Sequence, residues 1–192
     1  MKTLRFTVGF LATATVALCC DCGWAGAFVD MAASPKTVVV VARVKEYRFV
    51  HVSAQREKAA ESILSQHLSG HNPLDEPIPD AMVLEIEEVL SGPKDFVKHE
   101  QLVFGDNGVQ CRPYVTTFPV GTRWAFVLFG TPEETYLSIC GEFTLPEKED
   151  GFFGVIYGKN PKRHRSISLD ALGKKIRANQ IITAQRASRV AD

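Results

Sequence analysis

The chain has 192 residues, of which 45% are hydrophobic and 23% are charged, a balance that excludes an intrinsically disordered protein and suits one globular domain. The formal net charge is zero, but residues 151–192 carry nine basic side chains and two acidic ones, a net charge of +7 that leaves −7 on residues 1–150. An acidic body with a basic tail indicates self-docking or contact with an anionic surface, and a solvated charged tail is the alternative.

The N-terminus has the pattern of a secretory signal. Lys2 and Arg5 precede a run from Phe6 to Leu18 that is apolar or small, and the run is too short to cross a bilayer as a helix. This predicts a secreted or periplasmic protein. The rest of the sequence has no apolar run of membrane-spanning length, so we expect no membrane span after cleavage. Since export leads to an oxidising compartment, the five cysteines are interpreted as disulfide partners and not as a reduced metal or catalytic set.

Two cleavage sites fit the small residues that end this region. A cut after Ala27 makes Phe28 the first mature residue and leaves two cysteines, which would pair with each other. A cut after Cys19 leaves an even number as well, in the order Cys20, Cys22, Cys111 and Cys140. Both alternatives stay open at the level of the sequence.

The first half of the body reads as three strands and one insert. Lys36 to Tyr47 is rich in β-branched residues and predicts a strand that is buried on both faces at its start. Val52 to Leu68 has helical periodicity, and the proline-rich residues 71–80 that follow predict a loop. Ala81 to Leu90 alternates as a strand should, and Gln101 to Phe104 predicts a shorter strand.

The second half continues this pattern and ends in a helix. Strands are predicted for Arg123–Phe129 and Thr135–Phe143, with a weaker one over Phe152–Tyr157. From Ser168 onward the apolar residues follow helical spacing, which predicts a terminal helix packed on the body. Five or six short strands with a helical insert after the first favour a small closed or partly open barrel, over residues 28–150, followed by a basic tail with a helix over 151–192.

The order and spacing of five segments resemble those of the tissue inhibitors of metalloproteinases and the wider netrin-like family. The likeness covers about residues 20–145, and the segments that carry it are Val38–Val44, Leu84–Gly92, Val109–Cys111, Gly121–Phe129 and Leu137–Cys140. The N-terminal domain of that family is a five-stranded OB barrel. The resemblance therefore implies a mainly β, OB-like barrel with flanking helices.

The resemblance also implies a function and a contact surface. In that family the first two cysteines pair with two on the barrel, which carried over gives Cys20–Cys111 and Cys22–Cys140. The family inhibits by binding the catalytic zinc of a protease through the α-amino group and carbonyl of its first cysteine, here Cys20, and its next residue, here Asp21, enters the specificity pocket. The resemblance thus implies a non-enzymatic module that binds a protein partner, with a metalloprotease as the specific case. Its partner-binding ridge would comprise Cys20, Asp21, Asn107, Gly108, Val109 and Gln110.

Other chemistry has weaker support in the sequence. His67 and His71 have helical i, i+4 spacing for zinc, but Gly70 lies between them and no third ligand follows, so an exposed helix end is the preferred interpretation. Glu85 and Glu87 share the polar face of a strand, which indicates a solvated face and not an acid–base pair. The chain has no nucleophile-elbow, zincin or phosphate-loop motif. We therefore predict no catalytic residue, no metal and no cofactor.

The densest basic stretch supports an alternative function. Lys159, Lys162, Arg163 and Arg165 lie within seven residues and would attract anionic lipid headgroups or polysaccharide, whereas export argues against nucleic acid. On this hypothesis the chain is an envelope-associated structural protein held to an anionic surface. The alternative is a solvated linker to the terminal helix.

Overall fold

The computed structural model of the chain describes residues 23–51, 78–93, 95–106 and 112–190, which fold mainly as β-sheet. Two helices flank the sheet, α1 (Phe28–Ala32) and α2 (Leu169–Val190). The strands are β1 (Val38–Arg48), β2 (Ala81–Ser91), β3 (Glu100–Phe104), β4 (Arg123–Gly130), β5 (Thr135–Tyr136), β6 (Thr144–Lys148), β7 (Gly151–Gly154) and β8 (Arg165–Ile167). The predicted helical insert, Val52–Leu68, lies outside the described residues.

Five of these strands close into a barrel. Strand β1 pairs antiparallel with β2 on one side and with β4 on the other, and β3 joins β2 to β5. Strand β5 runs parallel to β3 and antiparallel to β4, which completes the circuit β1-β2-β3-β5-β4-β1. The predicted closed, OB-like barrel is thereby confirmed, as is the C-terminal helix.

Strand β1 is central because both of its faces are buried, as its β-branched start predicts. Val40, Ala42 and Val44 point into the barrel interior, where they pack among residues of β2, β3 and β4. Val39 and Val41 point outward into a second core. A strand with two buried faces needs a cover outside the barrel, and the rest of the chain provides it.

The second core joins the N-terminal helix and the C-terminal region to the barrel. Strands β6, β7 and β8 extend the sheet beyond β4 in the order β4-β6-β7-β8. The members that cover Val39 and Val41 come from both ends of the chain and include Phe28, Phe152, Ile156, Ile167, Leu172 and Ile176. The predicted domain boundary at residue 150 therefore falls in the turn between β6 and β7, and residues 151–176 belong to the body.

The predicted strand over Thr135–Phe143 is shorter than expected. Only Thr135 and Tyr136 pair, because the parallel partner β3 ends at Phe104, opposite Tyr136. The backbone that follows makes isolated hydrogen bonds, such as the one from the amide of Val127 to the carbonyl of Phe143 at 2.8 Å. The predicted alternation therefore holds as far as the buried Leu137 and ends there, since Ile139 is exposed.

Asp80 ties together three strands at one end of the barrel. Its side chain is 1% exposed and accepts hydrogen bonds from the amides of Val50 (2.7 Å) and His51 (2.8 Å) and from Nδ1 of His51 (2.9 Å). Its backbone amide donates to the carbonyl of Arg48, and its carbonyl accepts from the amide of Gly105. Asp80 therefore fixes the end of β1 against the start of β2 and the end of β3: its carboxylate holds the residues that follow β1, and its backbone bonds to Arg48 and Gly105.

Candidate functional site

The ridge predicted from the resemblance lies largely outside the described residues, and the structure describes its flanks. The ridge and disulfide residues that fall outside are Cys20, Asp21, Cys22, Asn107, Gly108, Val109, Gln110 and Cys111. The described residues that flank these two segments are Gly23 on one side and Asp106 and Arg112 on the other.

The N-terminal segment is hydrogen-bonded to the body along the loop after β5. The amide of Ala25 donates to the carbonyl of Cys140 at 2.8 Å, and the amide of Glu142 donates to the carbonyl of Gly26 at 3.0 Å. The two backbones approach closely at Gly141, which has no side chain to separate them. A Cβ on Gly141 would lie 3.2 Å from the carbonyl oxygen of Gly26, tighter than ordinary van der Waals contact.

The contacts continue into helix α1. Ala27 and Phe28 are fully buried, and the amide of Phe28 donates to the carbonyl of Val155 at 2.9 Å. The carbonyl of Ala27 accepts from the amides of Asp30 and Met31 and so begins the helix. The segment that the sequence offers as a cleavage site is therefore part of the folded body. Sequence reasoning missed this role, although an aromatic residue directly after small residues was a usable signal for packing.

Asp106 and Arg112, the described residues on either side of the predicted turn, are held to the body and to the same loop. The amide of Asp106 donates to the carbonyl of Pro113 at 3.0 Å, and the guanidinium of Arg112 lies 4.3 Å from the centroid of the Tyr136 ring. Arg112 is also 3.9 Å from the carboxylate of Glu134. Burial lowers the pKa of the Arg112 guanidinium, and the charges of Glu134, Tyr136 and Asp106 oppose that shift. The segment 134–142 therefore contacts both flanks of the predicted ridge.

Cys140 is the one cysteine among the described residues, and it is disulfide-bonded. The other cysteines, Cys19, Cys20, Cys22 and Cys111, lie outside those residues. The bonded state of Cys140 does not distinguish a pairing with Cys111 from one with Cys22, and both pairings stay predictions.

The half-buried Glu142 makes this edge sensitive to pH. Burial raises the pKa of its carboxyl group above the usual value, and the amide of Val155 and the charge of His164 partly offset this. Because the pKa of Glu142 is higher in the folded than in the unfolded chain, stability is greatest below the unfolded pKa and falls as the pH rises through the folded pKa.

We expect Glu142→Gln to stabilise the protein at pH 7 by less than about 1 kcal/mol, since solvent screens the group. Urea unfolding at pH 7 and at pH 4 measures this, and a gain that is equal at both values would contradict the assignment.

The four basic residues predicted to contact an anionic surface lie together on the C-terminal region. Lys159, Lys162 and Arg163 are exposed in the loop between β7 and β8, and Arg165 starts β8. Arg165 is held more firmly than the others, because its guanidinium donates to the hydroxyl of Tyr157 and lies 4.5 Å from the centroid of that ring.

The remaining candidates of the sequence offer no site. Glu87 pairs with Arg43 at 3.3 Å and with Arg123, and Glu85 faces His99 at 3.7 Å, so this strand face is a network of ion pairs. His67 and His71 lie outside the described residues, and no metal-binding group of three or more ligand side chains occurs in the part that is described. Neither of the two described helices has the length and apolar character of a membrane span.

No protein-family model matches this chain, and no characterised protein is significantly similar to it in sequence. The function must therefore be argued from the surfaces described above.

Proposed function

We propose that the chain is an exported, non-enzymatic OB-barrel module that binds another protein through its N-terminal segment and the adjacent turn. The observation that carries this proposal is the attachment of residues 25–26 to the loop around Cys140. Cys22 precedes the anchored Ala25 by three residues, a stretch of about 10 Å at most. The described chain therefore begins with a segment bonded to that loop, and the same loop contacts Arg112, which flanks the predicted turn.

The same attachment favours the cut after Cys19. Cleavage after Ala27 would remove a buried residue, the carbonyl that begins α1 and both hydrogen bonds to the loop around Cys140. Cleavage after Cys19 keeps all of them and leaves Cys20 as the first residue. This geometry supports the pairing Cys22–Cys140, because Cys22 is only three residues from Ala25, whose amide is hydrogen-bonded to the carbonyl of Cys140.

Inhibition of a zinc metalloprotease is the specific form of the proposal. It requires a free α-amino group on Cys20, because that amine and the Cys20 carbonyl would bind the zinc of the protease. The intact mass of the exported protein tests this requirement, and a mass that begins at Phe28 would exclude it.

Site-specific photo-crosslinking tests the general proposal. A photoreactive residue in place of Asn107 is expected to give one discrete protein adduct in the extracytoplasmic fraction of the producing cell. The matched control places it at Glu88, an exposed position of β2 away from the N-terminal segment, where no adduct is expected. Adducts of equal yield at both positions, or at neither, would contradict a protein-binding ridge.

A second candidate function is attachment to an anionic surface through Lys159, Lys162, Arg163 and Arg165. These cations have no carboxylate partner among the described residues, in contrast to the paired arginines of the barrel. Retention of the chain on a cation-exchange matrix and on anionic vesicles, both lost in high salt, is the expected behaviour.

A further inference from the structure

The cations of the barrel and those of the C-terminal region differ in how they are neutralised. Arg43, Lys45 and Arg123 of the barrel each pair with a glutamate. The described part of the C-terminal region has one such pair, between Lys174 and Asp170 at 2.7 Å. The other basic side chains described there have no described carboxylate within ion-pair distance; they are Lys159, Lys162, Arg163, Arg165, Lys175, Arg177, Arg186 and Arg189. Arg177 lies about 200° around α2 from Lys175, on the opposite side of the helix, and we call the other seven residues the basic face.

Two residues of the basic face are brought together on one aromatic ring. The guanidinium of Arg165 lies 4.5 Å from the centroid of the Tyr157 ring, and the ammonium of Lys175 lies 4.6 Å from it. The two like charges are thus held near each other by a strand and a helix, and the ring quadrupole attracts both. Because both side chains are already ordered, an anionic group that binds them pays little conformational entropy.

Helix α2 extends the basic face beyond the body. Asn179 and Gln180 are the last residues of α2 with hydrogen bonds to the body, to the carbonyls of Val29 (3.0 Å) and Ala32 (3.4 Å). From there to Arg189 every residue is exposed. Lys175 and Arg189 are separated along the helix by about 21 Å. The positive charge therefore extends over a length that a single small anion could not neutralise.

The exposed end of α2 also carries apolar side chains. Ile181 is 59% exposed and Ile182 is 45% exposed, and both lie between the cations Arg177 and Arg186 in sequence. A polysaccharide would neutralise the cations but would leave the isoleucines in water. A lipid bilayer offers phosphate groups and, just below them, a phase that accepts isoleucine.

We propose that the basic face binds the surface of a bilayer with anionic headgroups, and that Ile181 and Ile182 enter its interfacial region. This deepens the second candidate function above and rests on it. The cations supply the attraction at a distance, and the two isoleucines distinguish a bilayer from other anionic surfaces.

Co-sedimentation with vesicles tests the inference on the exported chain. Vesicles of phosphatidylcholine with about 30% phosphatidylglycerol should bind the protein in low salt, and vesicles of phosphatidylcholine alone should not. Arg165→Glu with Lys175→Glu should weaken binding at least tenfold. The matched control, Arg48→Glu with Lys98→Glu, makes the same change in net charge on exposed residues of the barrel side and should weaken it less than threefold.

A third variant distinguishes binding to a bilayer from binding to a soluble polyanion. Ile181→Ser with Ile182→Ser should weaken vesicle binding several-fold and leave binding to heparin unchanged. If the protein binds heparin, and if the double isoleucine variant binds vesicles as well as the unaltered chain does, the bilayer assignment is overturned and the anionic-surface function stands. No binding to either probe would overturn both. Equal loss in the two charge-reversal variants would show that net charge alone is responsible, and would overturn the site. Melting temperatures of all variants exclude unfolding as the cause.

Discussion

A chain that starts at Phe28 is expected to unfold about 10 °C below a chain that starts at Gly23. The longer chain keeps the fully buried Ala27 and the bonds that join residues 25–26 to Cys140 and Glu142. The shorter chain loses them and places a charged α-amino group on the fully buried Phe28, which costs free energy through desolvation. Together these losses amount to about 3–5 kcal/mol, and each kcal/mol lowers the melting temperature of a domain of this size by about 2–4 °C.

The chains that start at Phe28 and at Gly23 contain the same cysteines, so disulfide content does not differ between them. Both chains lack Cys20 and Cys22, so both have the same cysteine content, and the difference between them isolates residues 23–27. Thermal unfolding followed by circular dichroism, under reducing and non-reducing conditions, measures it. Equal melting temperatures would show that the segment contributes no stability, and would restore the cut after Ala27 to equal standing with the cut after Cys19.

The long strands and the terminal helix could be predicted because their patterns come from burial. The β-branched start of β1 reflects two buried faces, and the alternation in β2 and the apolar run in β4 reflect the barrel wall. The helical spacing of Leu172 and Ile176 reflects the face of α2 that packs on the second core. Patterns of this kind arise wherever a regular element has a buried side, and the five-stranded barrel follows from their number and order.

Pairing partners could not be predicted in the same way. Alternation over Thr135–Phe143 gave the correct burial of Leu137 but not the end of the ladder, which depends on where β3 ends. Strands β6 and β8 were missed because they are three to five residues long and carry charged residues. Short strands are set by tertiary contacts and leave little local signal.

Small residues before Phe28 had two possible explanations. Gly26 and Ala27 fit the small-x-small pattern of a cleavage site, and they also fit close packing in the folded body, where a Cβ on Gly26 would lie 2.9 Å from Met31 of α1 and Ala27 is fully buried. Composition cannot separate these explanations, because both select for a missing or short side chain. Likewise, the basic stretch was visible in the sequence, whereas the meeting of Arg165 with Lys175 on Tyr157 depends on how β8 and α2 pack.

Replacement of Asp80 by alanine is expected to destabilise the barrel by about 3–5 kcal/mol, as measured by urea unfolding, because it removes the acceptor of three donors at once. The amides of Val50 and His51 would lose their partner. Asp80→Asn keeps one acceptor oxygen and should cost about half as much. Asp150→Ala, in the exposed turn after β6, is the control and should change stability by less than about 0.5 kcal/mol. If Asp80→Ala were as mild as this control, the buried carboxylate would not be what holds the residues after β1 against the start of β2, and the backbone hydrogen bonds of Asp80 to Arg48 and Gly105 would have to hold this end of the barrel.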